Sequence, residues 1–366
     1  MYSKKKIVRN VILVAAILLI LLILIFSLGD IKKIGDVLIN QTNYWMILLC
    51  VVIVLVYCVL YQISLVILTK YKYKGISFKD SFYVSGSEFF FNAITPFSSG
   101  GQPFQAYAFK RRGMKLSDST SVLLLNFLAY QVVLNLFSII CLAIYYNRLA
   151  EQIDSIIWFV IVGFSINIIV MIFLILLGTT KFMGKLLIWL MDLLSKIKFL
   201  KKLLANKKPA FEVYVAEMQG AFKEIAKSKR IWFSAVISKI FALLVYYSIP
   251  YFVFLAIGID LNFKDIFYII AMTSFALTIS IWVPTPGASG GAELAFTTLF
   301  TGLIIGYGDP DNIALSGMLV WRLLTYYFLI IYGFIMYILF ERGNKNEDRS
   351  LYWSILPIYK WGSNIS

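Results

Sequence analysis

The chain has no histidine among its 366 residues. That absence removes Ser-His-Asp and Cys-His nucleophile systems and most zinc sites, which need imidazole as base or ligand. Cysteine is nearly as scarce. Cys50, Cys58 and Cys141 all fall inside apolar runs and lack zinc-ligand spacing, so they read as small packing residues rather than a disulfide framework or a metal site. Charge is sparse as well: 14% of residues are charged and 60% are hydrophobic. A soluble domain would be about a quarter charged. No glycine-rich nucleotide-binding loop is present, which removes nucleotide hydrolysis as an energy source.

What is abundant is unbroken apolar sequence. Runs of about 18 or more uncharged residues read as membrane spans. Ile7–Leu28, Tyr44–Thr69, Ser119–Tyr146, Ile156–Gly178, Ile231–Gly258 and Asn312–Phe340 qualify, with Lys239 and Arg322 inside the last two. Ile7–Leu28 follows a basic start, Met1–Arg9, but it is too long for a signal-peptide core and no small-residue cleavage site follows, so it reads as a retained first span. The fold class expected is an all-α polytopic membrane protein: six full spans plus two re-entrant broken-helix hairpins, in one transmembrane domain over 1–366.

The net charge of +15 marks one side of a membrane rather than a nucleic-acid partner. Basic residues in short loops stay cytoplasmic. With both termini inside, twenty-eight of the thirty-four Lys and Arg fall on the cytoplasmic side, four outside, and Lys239 and Arg322 in the membrane. Two short apolar stretches break this pattern of crossings. Ser81–Thr95 ends in TPFSSGGQP with basic residues on both flanks; Ile266–Val283 breaks at PTPGASGG with acidic residues on both flanks. Each reads as a hairpin that enters and leaves on one side, the first inside and the second outside. The segment 181–230 reads as a cytoplasmic amphipathic linker, with Phe182–Leu204 as a helix lying on the inner leaflet.

The chain repeats itself. FKDSFY at Phe78–Tyr83 matches FKDIFY at Phe263–Tyr268; TPFSSGG at Thr95–Gly101 matches TPGASGG at Thr285–Gly291; LNFLAYQ at Leu125–Gln131 pairs more weakly with WRLLTYY at Trp321–Tyr327. The offsets are 185, 190 and 196 residues, in order. Each unit, 44–146 and 231–340, reads as span, broken hairpin, span. By the charge argument they are inverted relative to each other. Inverted repeats with Gly/Pro-broken segments at matching positions are a transporter signature and point to a site near the midplane.

Broken backbone at membrane depth persists only inside protein or against a water-filled cavity. Ser99 and Ser289 are placed to cap helices starting at Gly100 and Gly290, running on through Gly101 and Gly291. Two such helix starts facing each other would make an anion site suited to a lipid head group; the bland alternative is that the glycine pairs allow close helix packing. Glu88, Lys239, Glu293 and Arg322 are ionisable residues at membrane depth, where such groups default to functional candidates. Arg322, eleven residues into its span, is expected to be a phosphate contact or a structural ion pair. Glu293 either pairs with Arg322 or favours the first turn of its own helix. Glu88 has no assignable partner, and Lys239 is expected to snorkel towards the inner surface. The cluster Lys110, Arg111 and Arg112 is either a topology determinant or a recruiter of anionic head groups.

SSGGQPFQAYAFKRRG at Ser98–Gly113 and PTPGASGGAE at Pro284–Glu293 resemble motifs of the lysylphosphatidylglycerol synthase transmembrane family, the flippase part of multiple peptide resistance factors. Pro284, Pro286, Gly287, Gly290 and Glu293 fill the second motif; Gly100, Gly101 and Ala106 fit the first, where Gln105 stands in place of a basic residue. The resemblance implies lipid translocation. Full-length members carry a soluble transferase domain that lysylates phosphatidylglycerol; only Glu341–Ser366 follows the last span here, so phosphatidylglycerol lysyltransferase activity is not expected.

The reading is therefore a lipid flippase in a bacterial inner membrane, with no cofactor, no metal and no catalytic residue. Its partner is a membrane lipid: an aminoacyl-phosphatidylglycerol, a glycolipid or a polyprenyl-phosphate lipid. A homo-oligomer is open. The alternatives are a head-group-modifying enzyme with Glu88 and Glu293 as acid and base, or an envelope scaffold.

Overall fold

The computed structural model describes residues 31–152, 156–197, 207–280, 283, 285–306 and 309–343. The expected first span, Ile7–Leu28, lies outside them, as do Pro284 and the C-terminal tail. Among the described residues every regular element is helical. Five helices are long and apolar enough to cross a membrane: Tyr44–Lys72, Leu116–Asn147, Val160–Thr179, Lys229–Ala256 and Pro310–Arg342. They coincide with the other five expected spans, and the chain is a multi-pass membrane protein.

In chain order the elements are α1 (Ile31–Asp36), α2 (Tyr44–Lys72), α3 (Phe78–Ala93), α4 (Gly101–Arg111), α5 (Leu116–Gln152), α6 (Ile156–Thr179) and α7 (Lys181–Ser195). Then follow α8 (Lys208–Lys227), α9 (Lys229–Ala256), α10 (Asp265–Ser280), α11 (Gly291–Leu303), α12 (Pro310–Arg322) and α13 (Phe328–Arg342). A π-turn, Leu323–Tyr327, joins α12 to α13. The sequence shows no signal for it, because one wide turn leaves the apolar run unbroken.

Local chemistry sets the helix starts. The Asn43 side chain accepts from the amides of Trp45 and Met46 and caps α2. Ser77 accepts from Asp80 N at 2.9 Å and caps α3. Thr180 caps α7 through Met183 N. Among its described residues the segment 181–230 carries the helices α7 and α8. α7 ends at Ser195, short of the expected Leu204, and residues 198–206 lie outside those described. Phe182, Trp189, Leu193 and Leu194 on α7 are exposed. The second helix, α8, docks on the bundle through Val215, Met218, Phe222 and Ile225. Its Gln219 donates to Leu177 O, a carbonyl orphaned at the end of α6, and to Thr180 O at the start of α7.

Three helix pairings position the centre of the molecule. α2 and α9 run in opposite directions: Asn43 N donates to Ala256 O at one end, and Ser238 Oγ donates to Leu60 O further along. α13 lies antiparallel along α3, with Gly333 against Phe90 and Gly86 against Met336. α5 lies antiparallel along α10, with Ser138 Oγ 3.4 Å from Thr278 Oγ1 and the rings of Tyr145 and Tyr268 5.1 Å apart. α3 folds back on α4, and α10 on α11, each pair joined by a short 3-10 turn, Pro96–Ser98 and Pro286–Ala288.

Candidate functional site

The two breaks share one backbone shape. Phe97 has φ 53° and ψ 21°, and Gly287, 190 positions later, has φ 62° and ψ 21°. Ser98 and Ala288, the next aligned pair, have φ 49° and 55°. Left-handed backbone at Phe97, Ser98 and Ala288 is disfavoured for residues with a side chain and persists only when the surroundings over-determine it. The two turns pack on each other. Tyr326, from the π-turn, ties them together: its hydroxyl donates to Ala93 O at 3.1 Å, and its ring occupies the space that a Cβ on Gly287 would need.

Several expectations at these turns are corrected. The helix caps are Gly100 and Gly290, not Ser99 and Ser289; the helices begin at Gly101 and Gly291. Three amides at these turns are taken up by side chains of the protein. Gly100 N donates to Thr95 Oγ1 at 2.8 Å, Gly101 N to Asn92 Oδ1 at 2.8 Å, and Gly290 N to Glu293 Oε2 at 2.7 Å. The reason is general: an orphan amide in apolar surroundings is expensive, so nearby side chains take it up. Ser99 is exposed, and Ser289 is buried with the Tyr326 hydroxyl as a hydrogen-bond partner.

Glu293 takes both roles foreseen for it. While Oε2 accepts from Gly290, Oε1 stands 2.9 Å from Arg322 Nε. Arg322 is 6% exposed and closes α12 at the start of the π-turn. The approach to Glu293 lies off the N–H axis, so charge holds the pair rather than a straight hydrogen bond: neither Nε–H nor Nη2 has a hydrogen-bond partner among the described residues. The guanidinium carbon lies 5.2 Å from the Trp321 ring and 5.3 Å from the Tyr326 ring. The indole N–H of Trp321 is likewise buried without a partner. Arginine presents five donors in a rigid fork suited to phosphate and carboxylate. Here several of them are dehydrated, unused, and one residue-turn from the meeting point of the two breaks.

Glu88 does not join Arg322. It forms a second buried cluster with partners that the sequence did not disclose. Its Oε1 accepts from Tyr61 at 3.5 Å and from Asn92 Nδ2 at 3.4 Å, and its Oε2 from Gln105 Nε2 at 3.1 Å. Lys239 completes the cluster and does not snorkel: it is fully buried, donates to Tyr61 O at 3.1 Å, and sits 3.1 Å from the centre of the Tyr61 ring. Tyr61 and Asn92 lie within uncharged runs, where nothing in the residue pattern marks them out.

The basic cluster divides. Arg111 pairs with Glu341 at 2.5 Å and Arg112 with Asp80 at 2.9 Å, tying α4 to α13 and α3. Both are engaged within the protein, while Lys110 is exposed.

The described residues contain no group of three or more Cys, Asp or Glu able to hold a metal ion. Glu88 and Glu293 sit in separate side-chain clusters with different partners.

Comparison with known proteins adds the family. The sequence model described as the lysylphosphatidylglycerol synthase TM region matches residues 11–333. The chain is 24% identical over 336 residues to an uncharacterised MG306 homologue of Mycoplasma pneumoniae, covering 86% of this chain and 82% of that one. It is 22% identical over 327 residues to a UPF0104 membrane protein of Archaeoglobus fulgidus, covering 81% and 87%. A third relative, the uncharacterised protein MG306 of Mycoplasma genitalium, is 24% identical over 265 residues, covering 68% and 66%.

Proposed function

The chain belongs to the lysylphosphatidylglycerol synthase TM region family, and from that premise we propose that it is a lipid transporter moving a phospholipid or lipid-linked anionic head group between leaflets of a bacterial inner membrane. It does so as a carrier without catalytic residues, working by alternating access. The observation that carries this reading is Arg322: a buried arginine with unused donors, beside two broken hairpins that meet. A buried ion pair made only for structure would be expected to satisfy both partners with straight hydrogen bonds. The off-axis contact with Glu293 instead leaves the fork available to an incoming phosphate, with Glu293 as its resting counter-ion.

The inverted repeat belongs to the same reading. Its supports are the antiparallel course of α2 and α9, the exchange in which the last helix of each unit packs along the other unit's hairpin, and the matched left-handed turns. An in-plane two-fold relation would produce all three. The hairpins then enter from opposite faces, and rocking one unit against the other would open Arg322 to each side in turn.

The test is reconstitution of the full chain in vesicles carrying fluorescent phosphatidylglycerol, with the outer-leaflet label quenched chemically. Arg322→Ala should slow translocation by at least about tenfold, the loss of roughly 1.4 kcal/mol of interaction. An unchanged rate at equal protein abundance would remove Arg322 from the site.

A further inference from the structure

The transport reading leaves its energy source open, and the second buried cluster speaks to that. Resting on that reading, we propose that Glu88 is a proton-binding site, and that Asn92 passes its protonation state to the start of α4 at the first break.

The geometry provides for both protonation states. As a carboxylate, Glu88 accepts from three side chains: Tyr61, Asn92 and Gln105. As a carboxylic acid it needs an acceptor for its own O–H. Gln105 Oε1 is that acceptor. It is buried without a hydrogen-bond partner, on the same amide whose Nε2 now donates to Glu88 Oε2. A half-turn of the Gln105 amide exchanges donor for acceptor and receives the proton, giving up the long Nε2 contacts to Val84 O at 3.4 Å and Ser85 O at 3.5 Å. The proton comes from water on one side of the membrane, resides on Oε2, and leaves to water on the other; no covalent bond other than O–H forms or breaks.

The titratable groups facing Glu88 come from three elements. Lys239 on α9 is buried and, among the described residues, has no carboxylate in ion-pair contact, Tyr61 on α2 lies between it and Glu88, and Tyr130 on α5 acts at longer range. From α4 the facing group is Gln105, which does not titrate, and Tyr332 on α13 is engaged with Gln62. Glu88 lies on the first unit and Lys239 on the second, so their attraction holds the units in one relative position. Protonating Glu88 removes that attraction.

Asn92 carries the change outward. Its Oδ1 accepts from Gly101 N, which fixes the amide's orientation and leaves Nδ2 to donate to Glu88 Oε1. A hydrogen bond to an ionised acceptor is roughly twice as strong as one to a neutral acceptor. Protonation therefore loosens Asn92 and, through it, the hold on the Gly101 amide at the first turn of α4. That amide becomes available to an anionic head group when Glu88 is protonated.

A pH titration of the full chain in nanodiscs, followed by infrared difference spectroscopy, reads the protonated-carboxyl C=O stretch directly. The expected result is a band that Glu88→Gln abolishes and Asn92→Ala keeps. No band, or a band that survives Glu88→Gln, overturns the proton site whatever the lipid does. In vesicles with the membrane potential clamped, an imposed pH gradient should raise the wild-type translocation rate several-fold. In both variants the ratio of rates with and without the gradient should fall to one. Wild-type translocation that ignores the gradient overturns the coupling, as does an Asn92→Ala ratio equal to wild type. A wild type that shows the Glu88 band yet moves no lipid leaves the proton site standing and sinks the transport reading instead.

Discussion

The Tyr326 hydroxyl donates to the carbonyl of Ala93, 233 positions earlier in the chain, at 3.1 Å. Ala93 is the last residue of α3, so its carbonyl is one of the acceptors a helix end leaves without an internal partner. The second half of the chain thereby closes the first half's broken hairpin, and the same tyrosine ring lies against Gly287 in the other break. Tyr326→Phe keeps the ring and deletes the bond. Leaving a buried acceptor unsatisfied costs about 1–3 kcal/mol. Thermal unfolding in detergent should fall accordingly, and an unchanged midpoint would mean that Ala93 O is satisfied another way.

Gly287 and Gly290 both have left-handed backbone, with φ of 62° and 89°, but their surroundings differ. A Cβ at Gly287 runs into the Tyr326 ring, whereas a Cβ at Gly290 meets nothing within 4 Å. Gly290→Ala should cost only the backbone strain, about 1 kcal/mol. Gly287→Ala adds overpacking of about 1–3 kcal/mol. Expression and monodispersity on gel filtration should rank Gly290→Ala above Gly287→Ala; the reverse order would refute the packing of Tyr326 on the turn.

Glu293 and Arg322 should be strongly coupled. Removing one partner of a buried pair leaves an uncompensated charge and costs about 3–5 kcal/mol, while replacing both with apolar residues of similar size is often near neutral. Glu293→Leu and Arg322→Met should each destabilise the protein more than the double variant does. Additive effects on thermal stability would contradict the pairing. The double variant should still fail to move lipid, since it lacks the phosphate contact.

Where α8 meets the start of α5, Glu217 on α8 joins Ser117 and Lys115, at 2.8 Å and 3.2 Å. The Ser117 hydroxyl first, and then the Lys115 ammonium, hold its carboxyl below the ordinary value of 4.5. A group depressed in the folded state adds stability that is present above 4.5 and is lost as pH falls through the lower folded value. The group is solvent-exposed, so the effect is local. Hydrogen exchange at α8 amides, corrected for intrinsic rate, should accelerate selectively below about pH 4. Glu217→Gln should abolish that acceleration; if the variant keeps it, another group is responsible.

Much of the architecture was legible in the residues because a bilayer constrains sequence directly. Span length, the placement of basic residues and the need to satisfy every backbone group leave their marks in composition and order. Five of the expected spans, the two broken hairpins and the paired motifs at Thr95–Gly101 and Thr285–Gly291 follow from these alone. So does the pairing of Glu293 with Arg322, one of the two roles open to Glu293, since two opposite charges at membrane depth must find partners. The family resemblance rested on the same motifs, and the family comparison bears it out.

Three matters were decided only by the tertiary structure. Which atoms take up the free amides of the breaks depends on Thr95, Asn92 and Glu293 curling back within a few ångströms, and serine beside the glycines looks an equally good cap in one dimension. Whether Lys239 reaches water depends on the wall of α2 beside it: packed along Tyr61, its ammonium meets a carbonyl and a ring before it can reach the interface. And Glu88 acquires its cluster from four separate helices, bringing together residues up to 178 positions apart that share no local pattern. Periodicity and charge report how each segment meets its solvent. Contacts between segments follow from how the apolar faces pack, and that has no counterpart in the linear order.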